Sequence, residues 1–176
     1  MGYYEVETQS AFMLAVLQNA HALVADAEVL LSRERWARAH ALATLAMEEA
    51  GKAWLADQLF QFAPDQPLPP RGWRHEEKLG AAREMHALVG MLRESRTIDM
   101  NEWFSEGHQY AAEYDFFTRM TGLYVDLQDG EVVGGPQAVT PGIARATVGL
   151  AGPLVHAALQ LLWVRYGGPV ATDCNV

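Results

Sequence analysis

Residues 39–59 read AHALATLAMEEAGKAWLADQL. Ala39, Ala43, Ala46, Ala50 and Ala53 recur at spacings of three and four, so they share one face of a helix. Side chains this small let a neighbouring helix approach closely, which marks a central element of a helical bundle. The pattern runs from about Glu34 to Phe62, where Pro64, Pro67, Pro69 and Pro70 stop it. On the adjoining stripe of Leu42, Leu45, Glu49, Lys52, Ala56 and Leu59, two charges interrupt an apolar seam. An exposed Glu and Lys three apart gain only about 0.2–0.5 kcal/mol by pairing. Buried, each ion loses several kcal/mol of hydration unless partners satisfy it. Either the seam opens to a cleft there or other polar residues meet the pair.

Outward from this helix, the same periodicity predicts another over about Ser10 to Leu31, with Thr8 or Ser10 as N-cap. The two form an antiparallel hairpin. After a Pro-rich loop, 63–72, a third helix covers about Trp73 to Arg93. A fourth covers Asn101 to Met120 and is rich in aromatic residues, among them Trp103, Tyr110 and Phe116. Alternating β-formers around Asp129-Gly130 predict a short hairpin or an extended arm over 122–138. Pro141 opens a last helix to about Tyr166, kinked at Gly152-Pro153, and 167–176 form a tail. The reading is all-α: one domain, 1–176, of about five helices with an extended insertion before the last.

The 176 residues carry 13 basic and 22 acidic side chains, for a formal charge of −9. That total argues against broad electrostatic binding to nucleic acid, although residues 61–100 hold six charges of each sign and escape the excess. A 50% apolar content rules out disorder as the main state. Cys174 is the only cysteine, which excludes a disulfide framework and a cysteine zinc site and fits a reducing, cytoplasmic compartment. The N-terminus lacks the basic-then-apolar pattern of a secretory signal. No uninterrupted apolar run reaches the roughly 18–20 residues of a membrane span, so no membrane association is expected.

Among the basic residues only Lys52 and Lys78 are lysine. Lys78 follows His75 by three, and His86 can share their helical face. His21 and Glu28 interrupt the first helix in a similar fashion. These residues allow a polar centre built from Glu48, Glu49, Lys52, His75 and Lys78. It reads either as solvated charge that ties the bundle together or as a functional cleft. No Glu-x-x-His pattern of di-iron bundles is present and two lysines would repel a cation, so neither a metal nor another cofactor is expected. Gly-x-Ser-x-Gly is absent, and Gly134-Gly135-Pro136 looks like a turn rather than a phosphate loop. Metal-free RNA cleavage stays chemically open. It needs a base for the ribose 2′-OH, an acid for the departing 5′-oxygen and cations for the phosphorane charge.

Asn19-Ala20-x-x-Leu23-x-x-Asp26-Ala27-x-x-Leu30 is followed by Glu48-Glu49-x-Gly51-Lys52, then His75-x-x-Lys78, then Arg119-x-x-Gly122-Leu123-Tyr124-Val125-Asp126. In this order, over roughly residues 10–135, the chain resembles the AbiV family of bacterial abortive-infection proteins, which is similar to the HEPN superfamily. The resemblance implies a HEPN-like helical bundle, a homodimer, and a role in phage defence that shuts down translation. It further implies activation by a phage protein and metal-independent action on RNA. Glu48, Arg119, Tyr124 and Asp126 match the motif as binding positions. One departure concerns catalysis. Arg35 and His40 fit the Arg/His spacing of active HEPN ribonucleases but stand too early in the bundle, and Arg71 and His75 are one residue too close. The expected catalytic set is therefore His75 as acid or base, Lys52 and Lys78 on the phosphate and Glu49 orienting them, with Arg35 and His40 as second choice. The competing expectation is a non-enzymatic interaction module whose polar centre is structural.

Overall fold

The computed structural model describes residues 2–94, 116–128, 131–163 and 165–167. Helix α1 spans Val6–Ser32 and α2 spans Trp36–Phe62. Ala39, Ala43, Ala46, Ala50 and Ala53 are all fully buried, and α2 packs on α1, on α3 (His75–Glu94) and on α5 (Pro141–Ala158). The alanine stripe thus makes α2 the common neighbour of the other three. A helical segment α4 (116–123) precedes the antiparallel hairpin of β1 (Val125–Gln128) and β2 (Glu131–Gly134), with Val125 opposite Gly134 and Gln128 opposite Glu131. The fold is an all-α bundle with a hairpin before the last helix.

Several boundaries differ from the sequence expectation. Helix α1 starts at Val6, so Thr8 and Ser10 lie inside it, and the N-cap, Glu5, makes no side-chain capping bond. Tertiary contacts hold this end instead. Tyr3 N–H donates to Pro64 O at 2.6 Å, Leu68 N–H donates to the Tyr4 hydroxyl at 3.0 Å, and Tyr4 packs edge-on to Phe60. Helix α3 begins at His75 rather than Trp73 because the Glu77 carboxylate accepts the Arg74 N–H at 2.7 Å, half of a capping box. The expected fourth helix, Asn101 to Met120, falls largely outside the described residues. So do the Asp129-Gly130 turn and the tail from 168 onward. In α5, Thr140 caps the helix by accepting Ile143 N–H at 3.2 Å. The α geometry passes through Pro153 to Ala158 and gives way to a π turn at Leu159–Trp163, short of the expected Tyr166.

Among the described residues two helices, Val6–Ser32 and Pro141–Trp163, are long and apolar enough to cross a membrane by length and composition. The expectation that none would qualify rested on uninterrupted apolar runs. Small and polar residues break the runs without lowering the average much. Both helices bury a face in the bundle, α1 through Met13, Val16, Leu17, Ala20 and Ala27, α5 through Leu154 and Val155 among others.

Gly51 sets the distance between α2 and α3. A Cβ placed there would lie 1.7 Å from the Lys78 carbonyl oxygen and 3.0 Å from Ala82 N. Only a residue without a side chain permits this crossing, and the crossing lays the first turns of α3 against α2 beside Glu48.

Candidate functional site

Glu48 is 2% exposed and forms the hub of a polar cluster. Its Oε1 accepts Arg119 Nη1–H at 2.6 Å, and its Oε2 meets His75 Nδ1 at 2.6 Å and Lys78 Nζ at 3.0 Å. Three elements supply these groups: α2 the carboxylate, the first turn of α3 the imidazole and ammonium, α4 the guanidinium. A carboxylate this buried loses several kcal/mol of hydration, and three donors from two other elements offset that loss. Because Lys78 and Arg119 are cations beside an ionised Glu48, His75 Nδ1 must carry the hydrogen in its 2.6 Å contact. Arg119 Nη2, 3.4 Å from the same nitrogen, is then a neighbour and not a hydrogen-bond partner, since both atoms are donors.

Exposure separates the members. The side chains of Lys78 and Arg119 are 14% and 6% exposed, whereas that of His75 is 47% exposed. Only the imidazole reaches solvent to any extent. Its ring is stacked on Phe116, with centroids 5.1 Å apart and planes inclined by 19°, and the Arg119 guanidinium lies 5.3 Å from the Phe116 ring centre.

The other expected site residues are placed as follows. Glu49 and Lys52 pair with each other at 2.6 Å, partly exposed, and Glu48 instead of Glu49 turns inward. The seam rotates by one residue because the alanine stripe, whose small side chains allow the closest packing, takes the centre. Tyr124 is 60% exposed; its backbone N–H donates to Met120 O and its carbonyl accepts Gly135 N–H. Asp126 pairs with Val133 in the hairpin. His40 is buried with Nδ1 2.8 Å from the Thr147 hydroxyl, while Arg35 is exposed at the N-cap of α2. His86 does not join His75. It lines a separate cavity of about 610 Å³ between α1, α3 and α5, together with His21, Glu28 and His156. Among the described residues no group of three or more His, Cys, Asp and Glu is arranged to hold a metal ion.

A second buried carboxylate escaped the sequence reading. Asp57 is fully buried and accepts Arg165 Nη1–H on both oxygens at 2.8 Å, the Tyr166 hydroxyl at 2.9 Å and Gln61 Nε2–H at 2.6 Å. Burial, and then the hydrogen bond to Asp57, push the Tyr166 phenol well above its ordinary range. The signal was present: Ala46, Ala50, Ala53, Asp57 and Phe60 form one helical stripe, with a carboxylate in its most apolar part.

The segments that build the Glu48 cluster are those that carry the motif order Glu48-Glu49-x-Gly51-Lys52, His75-x-x-Lys78 and Arg119-x-x-Gly122. A family model, HEPN_AbiV, described as AbiV, matches residues 9–156. The chain belongs to the AbiV family. The match extends beyond Asp126 through most of α5, so it spans all the elements described from α1 to α5. AbiV membership carries an abortive-infection, defence-type role. Comparisons with curated proteins and with solved structures give no match.

Proposed function

We propose that this AbiV-family protein is an antiphage effector that shuts down translation by cutting RNA without a metal ion, as a homodimer switched on by a phage protein. The observation that carries the chemistry is the pairing of His75 Nδ1 with the buried Glu48 at 2.6 Å while the imidazole stays 47% exposed. A carboxylate at Nδ1 fixes the tautomer, leaves Nε2 unprotonated on the outer edge and stabilises the imidazolium once Nε2 takes a proton. In this reading Nε2 removes the ribose 2′-OH proton as the 2′-oxygen attacks phosphorus. The imidazolium then surrenders that proton to the departing 5′-oxygen, leaving a 2′,3′-cyclic phosphate and a 5′-hydroxyl. Glu48, Lys78 and Arg119 carry one negative and two positive charges, so these three groups together add one positive charge beside His75 that suits a phosphate. Glu48 takes the orienting role first given to Glu49. Lys52, neighbour of Gly51 on the same helix, remains the residue for the phosphate.

The test pairs RNA cleavage with phage plating. Activated protein should cut RNA in EDTA, and His75→Ala should lower the rate by about 10²–10⁴-fold and abolish protection at temperatures where the variant remains folded. Lys52→Ala should weaken cleavage and protection while the fold is kept. Intact RNA under activating conditions, together with full protection by His75→Ala, would sink the enzymatic reading.

A second reading follows from the near-complete burial of Glu48 under three donors: the cluster is a lock that fixes the register of α2, α3 and α4 in a non-enzymatic interaction module. It expects protection to follow melting temperature across variants at Glu48, His75, Lys78 and Arg119, with His75→Ala protective wherever it remains folded.

A further inference from the structure

We propose that Phe116 is the positioning residue for the His75 imidazole, an inference that rests on His75 being the proton-transfer group. The hydrogen bond from Nδ1 to Glu48 Oε2 pins the ring at one atom. A ring joined to the helix through Cβ and bonded at Nδ1 still tilts through small changes in χ1 and χ2, and a side chain 47% exposed has solvent into which to tilt. The direction of Nε2 is then only loosely held. Phe116 removes this freedom by lying against the ring face, 5.1 Å away and within 19° of parallel.

Phe116 is itself held. Arg119, one turn further along α4, sits over its ring at 5.3 Å and at the same time bonds Glu48 at 2.6 Å. The contacts therefore close a circuit from His75 to Glu48, to Arg119, to Phe116 and back to His75. Each member is fixed from two sides. Hydrogen bonding alone sets where the imidazole is anchored; the stacked phenyl sets the plane in which it stands. Proton transfer falls off steeply with misalignment, so the plane matters as much as the anchor. The phenyl ring has no group that could exchange a proton, which makes its contribution one of orientation only.

The experiment reads orientation and activity separately. Phe116→Leu, with its helical circular dichroism retained, should lower kcat for RNA cleavage about 10- to 100-fold, with KM held within about twofold. Phe116→Tyr keeps a flat ring and should return kcat to within about threefold of wild type. Nitrogen-15 imidazole spectra at about pH 8.5, above the ordinary histidine range, report the tautomer without any substrate. With the phenyl gone the ring tilts off the line of its bond to Glu48, so the Nδ1–H form of His75, dominant in wild type and Phe116→Tyr, should give way to a mixture in Phe116→Leu. An Nε2–H form in wild type would overturn the proposal, as would a Phe116→Leu protein with wild-type tautomer and kcat. Should Phe116→Leu lose its fold, Phe116→Met enters the same two measurements with the same expected losses. Wild-type protein that leaves RNA intact would defeat the cleavage reading, and the tautomer pattern would still decide whether Phe116 fixes the ring.

Discussion

Helix α2 carries two buried carboxylates nine residues apart, and the molecule treats them differently. Asp57 gathers Gln61 from its own helix and Arg165 and Tyr166 from the C-terminal side of the bundle. Glu48 gathers His75 and Lys78 from α3 and Arg119 from α4. Both carboxylates are equally saturated with donors, so burial and saturation do not distinguish a lock from a site. The partners do. Around Asp57 they are an arginine, a phenol held neutral and an amide, none of which exchanges protons near neutral pH. Around Glu48 one partner is an imidazole, and it is the partner that reaches solvent.

The sharpest way to break this comparison is to remove each carboxylate in turn. Glu48→Ala should destabilise by about 3–5 kcal/mol, because Lys78 and Arg119 lose their counter-charge in a buried setting; Asp57→Ala should cost up to about 3 kcal/mol, because the Tyr166 hydroxyl and Gln61 amide lose their acceptor while Arg165, 48% exposed, turns to water. Urea titration followed by circular dichroism measures both. A loss below about 1 kcal/mol for Glu48→Ala would show that this carboxylate carries little structural weight.

Gly51→Ala tests the Glu48 side alone. Its methyl group would collide with the Lys78 carbonyl, so α3 must withdraw and take His75 and Lys78 with it. We expect a loss of about 1–3 kcal/mol together with loss of RNA cleavage, while Arg165 and Tyr166 stay on Asp57. A Gly51→Ala protein of wild-type stability would mean that the helices do not cross as closely as described.

Tyr166→Phe tests the Asp57 side alone and touches stability only, by about 1.5–3 kcal/mol near neutral pH from one hydrogen bond to a charged acceptor. Its pH dependence is diagnostic. The folded state holds the Tyr166 proton more tightly than the unfolded chain, in which the phenol titrates near its ordinary value of 10.0. The contribution is complete below that pH and is lost as pH rises through it, when the unfolded state ionises first. Melting temperature should therefore fall more steeply above about pH 10 in wild type than in Tyr166→Phe. Parallel curves would remove the argument that burial raises this phenol.

Much of the fold was legible because small and apolar residues recur at helical spacing. The alanine stripe of α2 and the alternation about Asp129-Gly130 report backbone geometry directly, and the bundle and hairpin follow from them. Helix starts were less legible: α1 is held at its beginning by Pro64 and Leu68, residues far along the chain, and no local N-cap residue marks it. For the cluster, the sequence named segments that the structure also brings together, and it offered both Glu48 and Glu49 without resolving which of the two turns inward. Glu48 and Glu49 differ by about 100° around the helix, and which of them faces α3 depends on how far the alanine stripe rotates α2 into the core. The stacking of Phe116 on His75 was not legible at all, since it joins residues 41 positions apart through a contact that leaves no periodic trace.

The Glu48 cluster also fixes when the site can exist. Its contacts bridge 27 residues to His75 and 71 to Arg119. A ribosome-bound chain that has released α2 and α3 but not yet residue 119 holds a glutamate short of its guanidinium and an imidazole without its stacked partner. The centre is thus a late product of synthesis, absent from every shorter nascent chain. A chain that stops short of residue 119 therefore cannot assemble this cluster, whatever the state of its first three helices.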